Sequence, residues 1–367
     1  MFAMRSTRMK LFTFGLLLCW NFQTEAQVKT ENKQGEIRLF HASMKPGVGC
    51  YRIPALVTAP NGDLIAAIDE RLGSCGDLKF NRDINIVIRR STDNGKTWSA
   101  IETVVDYPIG QSASDPSMIV DRIRGEIIML FNYMDLDKEK DVYYFRVMRS
   151  RDNGKTWSTP KDITASISRP EWRNDFKFIT SGRGIQTQSG KLLHNLVNIQ
   201  RGVYLFQSDD HGDTWTLIDT PVNPADESKV VELPDGKWII NSRVNNLGFR
   251  VVHTSSNNGK HWITRTDSTL IDPGCNAGLL RHDIADGKTI FLFSNPASST
   301  SRENLVLRYS NDGGKQWSKG TEIYLGSAAY STLTMLTSGA IGILYERDDY
   351  SEVIFTALPL DEVFPER

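Results

Sequence analysis

The sequence has little net charge. Its 43 Lys and Arg against 44 Asp and Glu leave a formal charge of −1 over 367 residues. No long block of one sign occurs, which argues against a nucleic-acid surface and a charged tail, so any recognition by charge must be local. Cysteine is also scarce, at four residues. Cys19 falls in a leader segment, and Cys50, Cys75 and Cys275 cannot complete a disulfide framework and match no zinc spacing. A Cys50–Cys75 bridge is open to an exported chain; free buried thiols are the plainer expectation. His-Glu-x-x-His, phosphate-loop and Gly-x-Ser-x-Gly patterns are missing, as is any cofactor motif, so neither metal nor cofactor is expected. The one marked apolar run, Leu11–Trp20, is too short to span a membrane. Arg5, Arg8 and Lys10 precede it and Thr24–Ala26 follows with small residues, the pattern of a signal peptide over residues 1–26. The mature chain, 27–367, is then expected as one domain, exported to the periplasm or beyond the cell, without a transmembrane span and monomeric.

What the sequence has is a repeat. The pattern Ser-x-Asp/Asn-x-Gly-x-x-Trp occurs at Ser91–Trp98, Ser150–Trp157, Ser208–Trp215, Ser255–Trp262 and Ser310–Trp317, with starts 59, 58, 47 and 55 residues apart. Within each copy Asp can accept backbone amides across a turn, Gly tolerates positive φ, and Trp packs the turn onto its sheet. Short β-rich runs flank the copies, such as 84–90, 142–149 and 203–207, and no long amphipathic helix interrupts them. About 55 residues per unit fits a four-stranded antiparallel propeller blade. From Gly35 to Pro359 that period predicts an all-β, six-bladed β-propeller of four-stranded blades. One blade would lack its box or be closed by both termini.

The octapeptide resembles the Asp-box of sialidases, which sorting receptors and some endoglucanases also carry. By itself it speaks for fold; turn chemistry accounts fully for Asp93, Asp152, Asp210 and Asp312. A second segment, Tyr51-Arg52-Ile53-Pro54, resembles the Phe/Tyr-Arg-Ile-Pro motif of exo-sialidases and lies just ahead of the first box, as in that family. The resemblance implies removal of terminal sialic acid from sialylated glycoproteins or glycolipids.

Sialic acid carries a carboxylate on its anomeric carbon, and arginine holds a carboxylate through a planar two-toothed fork that lysine lacks. The resemblance implies three such arginines: Arg52, Arg250 in Gly248-Phe249-Arg250, and Arg302 in Ser301-Arg302-Glu303. Arg243 at a strand end competes with Arg250. Sialidases are a tyrosine exception among retaining glycosidases. A neutral phenol avoids the repulsion that a second carboxylate would meet at that carbon, but needs a base. Tyr330, in Ala328-Ala329-Tyr330-Ser331, resembles the family nucleophile. Glu232 resembles its activating glutamate, with Glu227 as rival. Arg71, then Asp77 six residues later, resemble the loop arginine and the general acid; Asp83 is the alternative acid. Asp115, before Pro116, resembles a substrate-contacting Asp, and Glu346 the glutamate that braces the first arginine. Two other readings fit the same fold: a trans-sialidase, including an intramolecular one, and a non-catalytic glycan-binding propeller.

Overall fold

The computed structural model describes residues 35–284 and 287–365; the leader expected over 1–26 lies outside them. From Gly35 onward the chain forms one compact unit of short sheets, antiparallel except where Gly182–Arg183 pairs in parallel with Gln111–Asp121. The Glu126–Asp135 strand shows why the chain is sheet. Its apolar, β-prone run is buried at every position, as expected of a strand covered on both faces.

Among the described residues the hydrogen-bonded sheets number five: two of four strands, two of five and one of seven. This corrects the expectation of six separate four-stranded sheets. The 15-residue strand Thr321–Met335 is continuous. Its first half pairs with Glu303–Ser310 and its second with Ile341–Arg347, joining what would be two sheets. In the same large sheet the first described strand, Ile37–His41, pairs with the last, Glu352–Leu358, so that strands distant in sequence close one sheet.

Hydrophobic cores lie between successive sheets. Ile128 and Leu130 of one sheet pack with Leu192, Leu196 and Phe206 of the next, and Leu64 and Val87 of the first meet Leu344 and Phe355 of the last. Each such buried side chain contributes roughly 1.5–3 kcal/mol.

The repeated octapeptides fasten this arrangement. In the first, Ser91 Oγ accepts the Gly95 amide at 2.9 Å, and Asp93 accepts the Thr97 amide at 2.9 Å and its hydroxyl at 2.6 Å. Those bonds from Thr97 hold the Asp93 carboxyl down at about 2. The box glycines touch the preceding sheet. A methyl group at Gly154 would meet Ile65 at 2.7 Å, one at Gly212 would meet Ile128 at 2.8 Å, and one at Gly95 would meet Phe355 of the last sheet at 2.2 Å. These three boxes thus press their sheets against the one before, and the first closes onto the last.

The inner strands make a ring: Val48–Thr58 contacts Gln111–Asp121 on one side and Thr321–Met335 on the other, and Ser228–Glu232 contacts Gly278–Asp283. They begin at one mouth of the ring and end at the other. The boxes follow the third strand of each sheet, which puts them at the mouth where the inner strands end.

Candidate active site

Three inner strands break register at the mouth where they begin. The shifts fall between Arg52 and Ala55, Ser114 and Ser117, and Ala328 and Ser331. Bulges of this kind re-aim side chains and cluster beside active sites. At the first, Ile53 has φ 68° and at the second Asp115 has φ 62°, a backbone region costing about 1–3 kcal/mol for a residue other than glycine.

Each strained turn is held by a buried carboxylate. Glu346, fully buried, accepts Arg52 Nε at 2.8 Å, the Ile53 amide at 2.8 Å and the Tyr330 amide at 3.2 Å. It therefore fixes an arginine fork and two bulges together. Asp69 accepts the Asp115 amide at 2.9 Å, the Ser114 hydroxyl at 2.6 Å and Arg71 Nη2 at 3.0 Å. Burial, then the charge of Asp69, pushes the Asp115 carboxyl well above the usual carboxylate range.

Tyr330 is 9% exposed and donates its hydroxyl to Glu227 Oε2 at 2.6 Å. Arg243 donates to the same carboxylate oxygen and stands 3.3 Å from the phenol oxygen. The guanidinium carbons of Arg302 and Arg52 lie 5.4 and 5.6 Å from the Tyr330 ring centre. Burial, then the Glu227 charge, raises the phenol well above its ordinary value, while Arg243 and Arg302 oppose that rise. A neutral phenol donating to a carboxylate, with three cations around it, is an arrangement able to generate a nucleophile beside a bound anion.

Across the cavity, Arg71 Nη1 donates to Asp77 Oδ1 at 2.7 Å and to the Cys75 carbonyl at 2.9 Å. The Asp77 side chain is 71% exposed, open to whatever occupies the cavity. Cys50 and Cys75 form a disulfide, contrary to the expectation of free thiols, while Cys275 is free and buried. A cavity of about 410 Å³ collects Arg71, Asp77, Asp115, Glu227, Arg243 and Tyr330, with Phe80, Phe176 and Phe178 forming an apolar flank. Asp83 is not among its lining residues. A smaller one of about 270 Å³ beside it is lined by Arg302, Glu346 and Tyr350. Among the described residues no three His, Cys, Asp or Glu side chains converge as a metal site would require.

Two expected residues lie elsewhere. Glu232 sits at the far end of the strand that Glu227 precedes, about 17 Å along an extended chain; there it accepts the Gln188 amide at 2.6 Å and lines a different cavity. Arg250 is completely buried and donates to Asn241 Oδ1 at 2.8 Å and the Cys275 carbonyl at 2.8 Å. The residues that meet Tyr330 are the two rivals, Glu227 and Arg243. Strand polarity carries the signal for both. Starts of inner strands and ends of second strands share a mouth, and Glu227 precedes Ser228–Glu232 while Arg243 follows Trp238–Ser242. Tyr350 carries no such signal, yet its ring lies 3.9 Å from the Arg52 guanidinium and its hydroxyl accepts Arg302 Nη1 at 3.1 Å.

This fold and this cluster define a propeller with an anion-facing, tyrosine-centred cavity. Residues 62–343 match the BNR repeat-like domain. A sialidase of Micromonospora viridifaciens is 37% identical over 82% of this chain and 50% of its own length. One of Bacteroides fragilis is 30% identical over 85% of this chain and 62% of its own. The chain thus spans about half to three-fifths of the length of these relatives. Among solved structures, a Hadza microbial sialidase superposes with TM-score 0.78 at 30% identity, over 86% of this chain and 66% of that one. An intramolecular trans-sialidase of Ruminococcus gnavus reaches 0.75 at 19% identity, over 88% of this chain and 97% of that one, a likeness of fold. The chain belongs to the sialidase family and carries its BNR repeat-like domain.

Proposed function

We propose that this protein is an exo-α-sialidase that removes terminal sialic acid from glycoproteins or glycolipids with retention of configuration. Tyr330 attacks the anomeric carbon while Glu227 takes its proton. Arg52, Arg243 and Arg302 hold the substrate carboxylate, and Asp77 protonates the departing glycan oxygen and later activates water. Arg71 positions Asp77, Asp115 contacts the sugar on that side, and Glu346 positions Arg52. The observation that carries this reading is the 2.6 Å bond from the Tyr330 hydroxyl to Glu227 within a cluster of three arginines. The same reading includes six blades, counting the shared strand Thr321–Met335 twice. It also includes an exported, monomeric mature chain over 27–367 that needs no metal or cofactor.

The test uses the full chain with a fluorogenic α-sialoside and a fluorinated sialyl donor. Wild type should release sialic acid in the presence of chelator and form a covalent adduct that peptide mass spectrometry places on Tyr330. Tyr330→Phe should lose activity by about 10³-fold or more. An adduct on another residue, or an inverted first product seen by NMR, would overturn the mechanism.

A further inference from the structure

The mouth opposite Tyr330 opens into a second cavity, about 440 Å³, where the inner strands end. Its charges do not balance locally. Glu232 faces Arg281 Nη1 at 3.8 Å, and Asp283 accepts Arg281 Nε at 2.9 Å and the Thr289 hydroxyl at 2.6 Å. Both acids are therefore engaged with one arginine. Arg122 and Arg183 also line the cavity, and neither is in a salt bridge among the described residues. Arg183 donates from Nη1 to the Leu333 carbonyl at 2.8 Å, and Arg122 from Nη2 to the Gln186 carbonyl at 3.1 Å. Each guanidinium keeps further N–H groups for the cavity.

Arg183 is held there by its neighbours. Gly182 has φ 98°, and a methyl group at Gly184 would meet His194 and the Leu193 carbonyl at 2.6 Å. This Gly-Arg-Gly segment, whose Gly182–Arg183 pairs in parallel with Ser117–Met118, therefore admits no bulk beside the arginine. Burial, and then the charge of Arg122, draws the Arg183 guanidinium down to about 10. Deeper in the ring, the ammonium of Lys229 rests on the Ser181 carbonyl at 2.6 Å and Asn276 Oδ1 at 2.7 Å, neither of them charged. For Arg183 and Lys229, desolvated charges without a counter-ion are costly, and a bound anion lowers that cost.

We propose that this mouth is a binding site for a small oxyanion, a carboxylate, sulfate or phosphate group, held between Arg122 and Arg183 on the face opposite Tyr330. Two guanidinium forks match the paired oxygens of such a group. The cavity falls in the size range of small-molecule sites, so the anion can be free or carried on a sugar.

The test titrates the full chain with sodium sulfate, sodium phosphate and glucuronate at fixed ionic strength, with chloride as control, followed by calorimetry and thermal unfolding. At least one oxyanion should bind saturably where chloride does not. A preference for glucuronate would identify a carboxylated sugar, and a preference for sulfate or phosphate a free inorganic ion. Arg122→Gln, at an exposed position, should weaken binding about tenfold, as loss of a charge-assisted pair implies. Arg183→Lys, which keeps the charge but loses the fork, should weaken it similarly and guards against misfolding of a neutral variant. Arg243→Gln, at the other mouth, should leave this affinity unchanged. The proposal is overturned if no oxyanion binds, if chloride acts equally, or if the loss follows Arg243 rather than Arg122.

Discussion

Tyr330 meets Glu227, while Glu232 faces the opposite mouth five residues later, and the two carboxylates give opposite expectations. Glu227→Gln should cost about 10³-fold in kcat because the phenol loses its base, and the double variant with Tyr330→Phe should be little worse than either single one. Glu232→Gln should stay within about threefold of wild type, since it is roughly a full strand length away. Equal losses in steady-state kinetics would refute the assignment of Glu227. Lys229 gives a residue-scale expectation for stability. Burial brings its ammonium down to about 7. Below pH 7 the group is charged in both folded and unfolded chains and its burial penalty is complete. Between about 7 and 10.5 only the unfolded chain holds the proton, so this group makes stability rise with pH, by at most roughly 1.4 kcal/mol per unit. Lys229→Met should remove that rise in denaturant titrations repeated across this range. An unchanged slope would show that Lys229 titrates normally.

At the scale of elements, the loop that carries Asp77 is tied twice to the strand pair bearing Arg52 and Arg71. Cys75 is bridged to Cys50, two residues before Arg52, and the Cys75 carbonyl accepts Arg71. Opening a bridge across 25 residues costs about 3 kcal/mol in chain entropy, but the more specific effect should fall on chemistry. Cys75→Ser, or reduction of wild type, should slow hydrolysis of a natural sialoside, whose leaving alcohol needs a placed acid, about tenfold more than that of an activated aryl sialoside. A uniform loss on both substrates would mean that the bridge supports folding alone. The same scale explains what could be read from the sequence. Each octapeptide turn is held by bonds within eight residues, so its signal is entirely local. The bulges around Ile53 and Asp115 depend on Glu346 and Asp69, far away along the chain or on another strand, and motif likeness alone pointed to those segments. Glu227 with Arg243 and Glu232 with Arg250 are similarly spaced pairs. Strand polarity puts Glu227 at the mouth of Tyr330 and Glu232 at the opposite one, whereas Arg250 begins the third strand beside Arg243 and is kept from Tyr330 by its burial against Asn241 and the Cys275 carbonyl.

At the scale of the molecule, the repeat period conveyed a ring of small sheets, but not that Thr321–Met335 would run through two of them, because pairing on both sides of one strand leaves no mark on spacing. Closure of the ring is what the whole fold depends on, and Gly95 is where it can be tested. Gly95 has φ 84°, and an added methyl group there would come 2.2 Å from Phe355 of the last sheet. Gly125 has φ 70° with nothing within 4 Å, so alanine at that position pays only for its backbone. Gly125→Ala should therefore cost about 1–2 kcal/mol, the penalty of a left-handed residue. Gly95→Ala carries the same backbone term plus an overpacking cost of about 1–3 kcal/mol. Because the contact joins the first sheet to the last, the extra loss should appear as one cooperative shift in melting temperature and not as a separate early transition. Phe355→Leu, combined with Gly95→Ala, should recover part of the difference by making room, giving a favourable coupling of at least about 0.5 kcal/mol in the double-mutant cycle. Equal melting shifts for the two alanine variants, or additive effects at Gly95 and Phe355, would show that this box does not hold the ring closed.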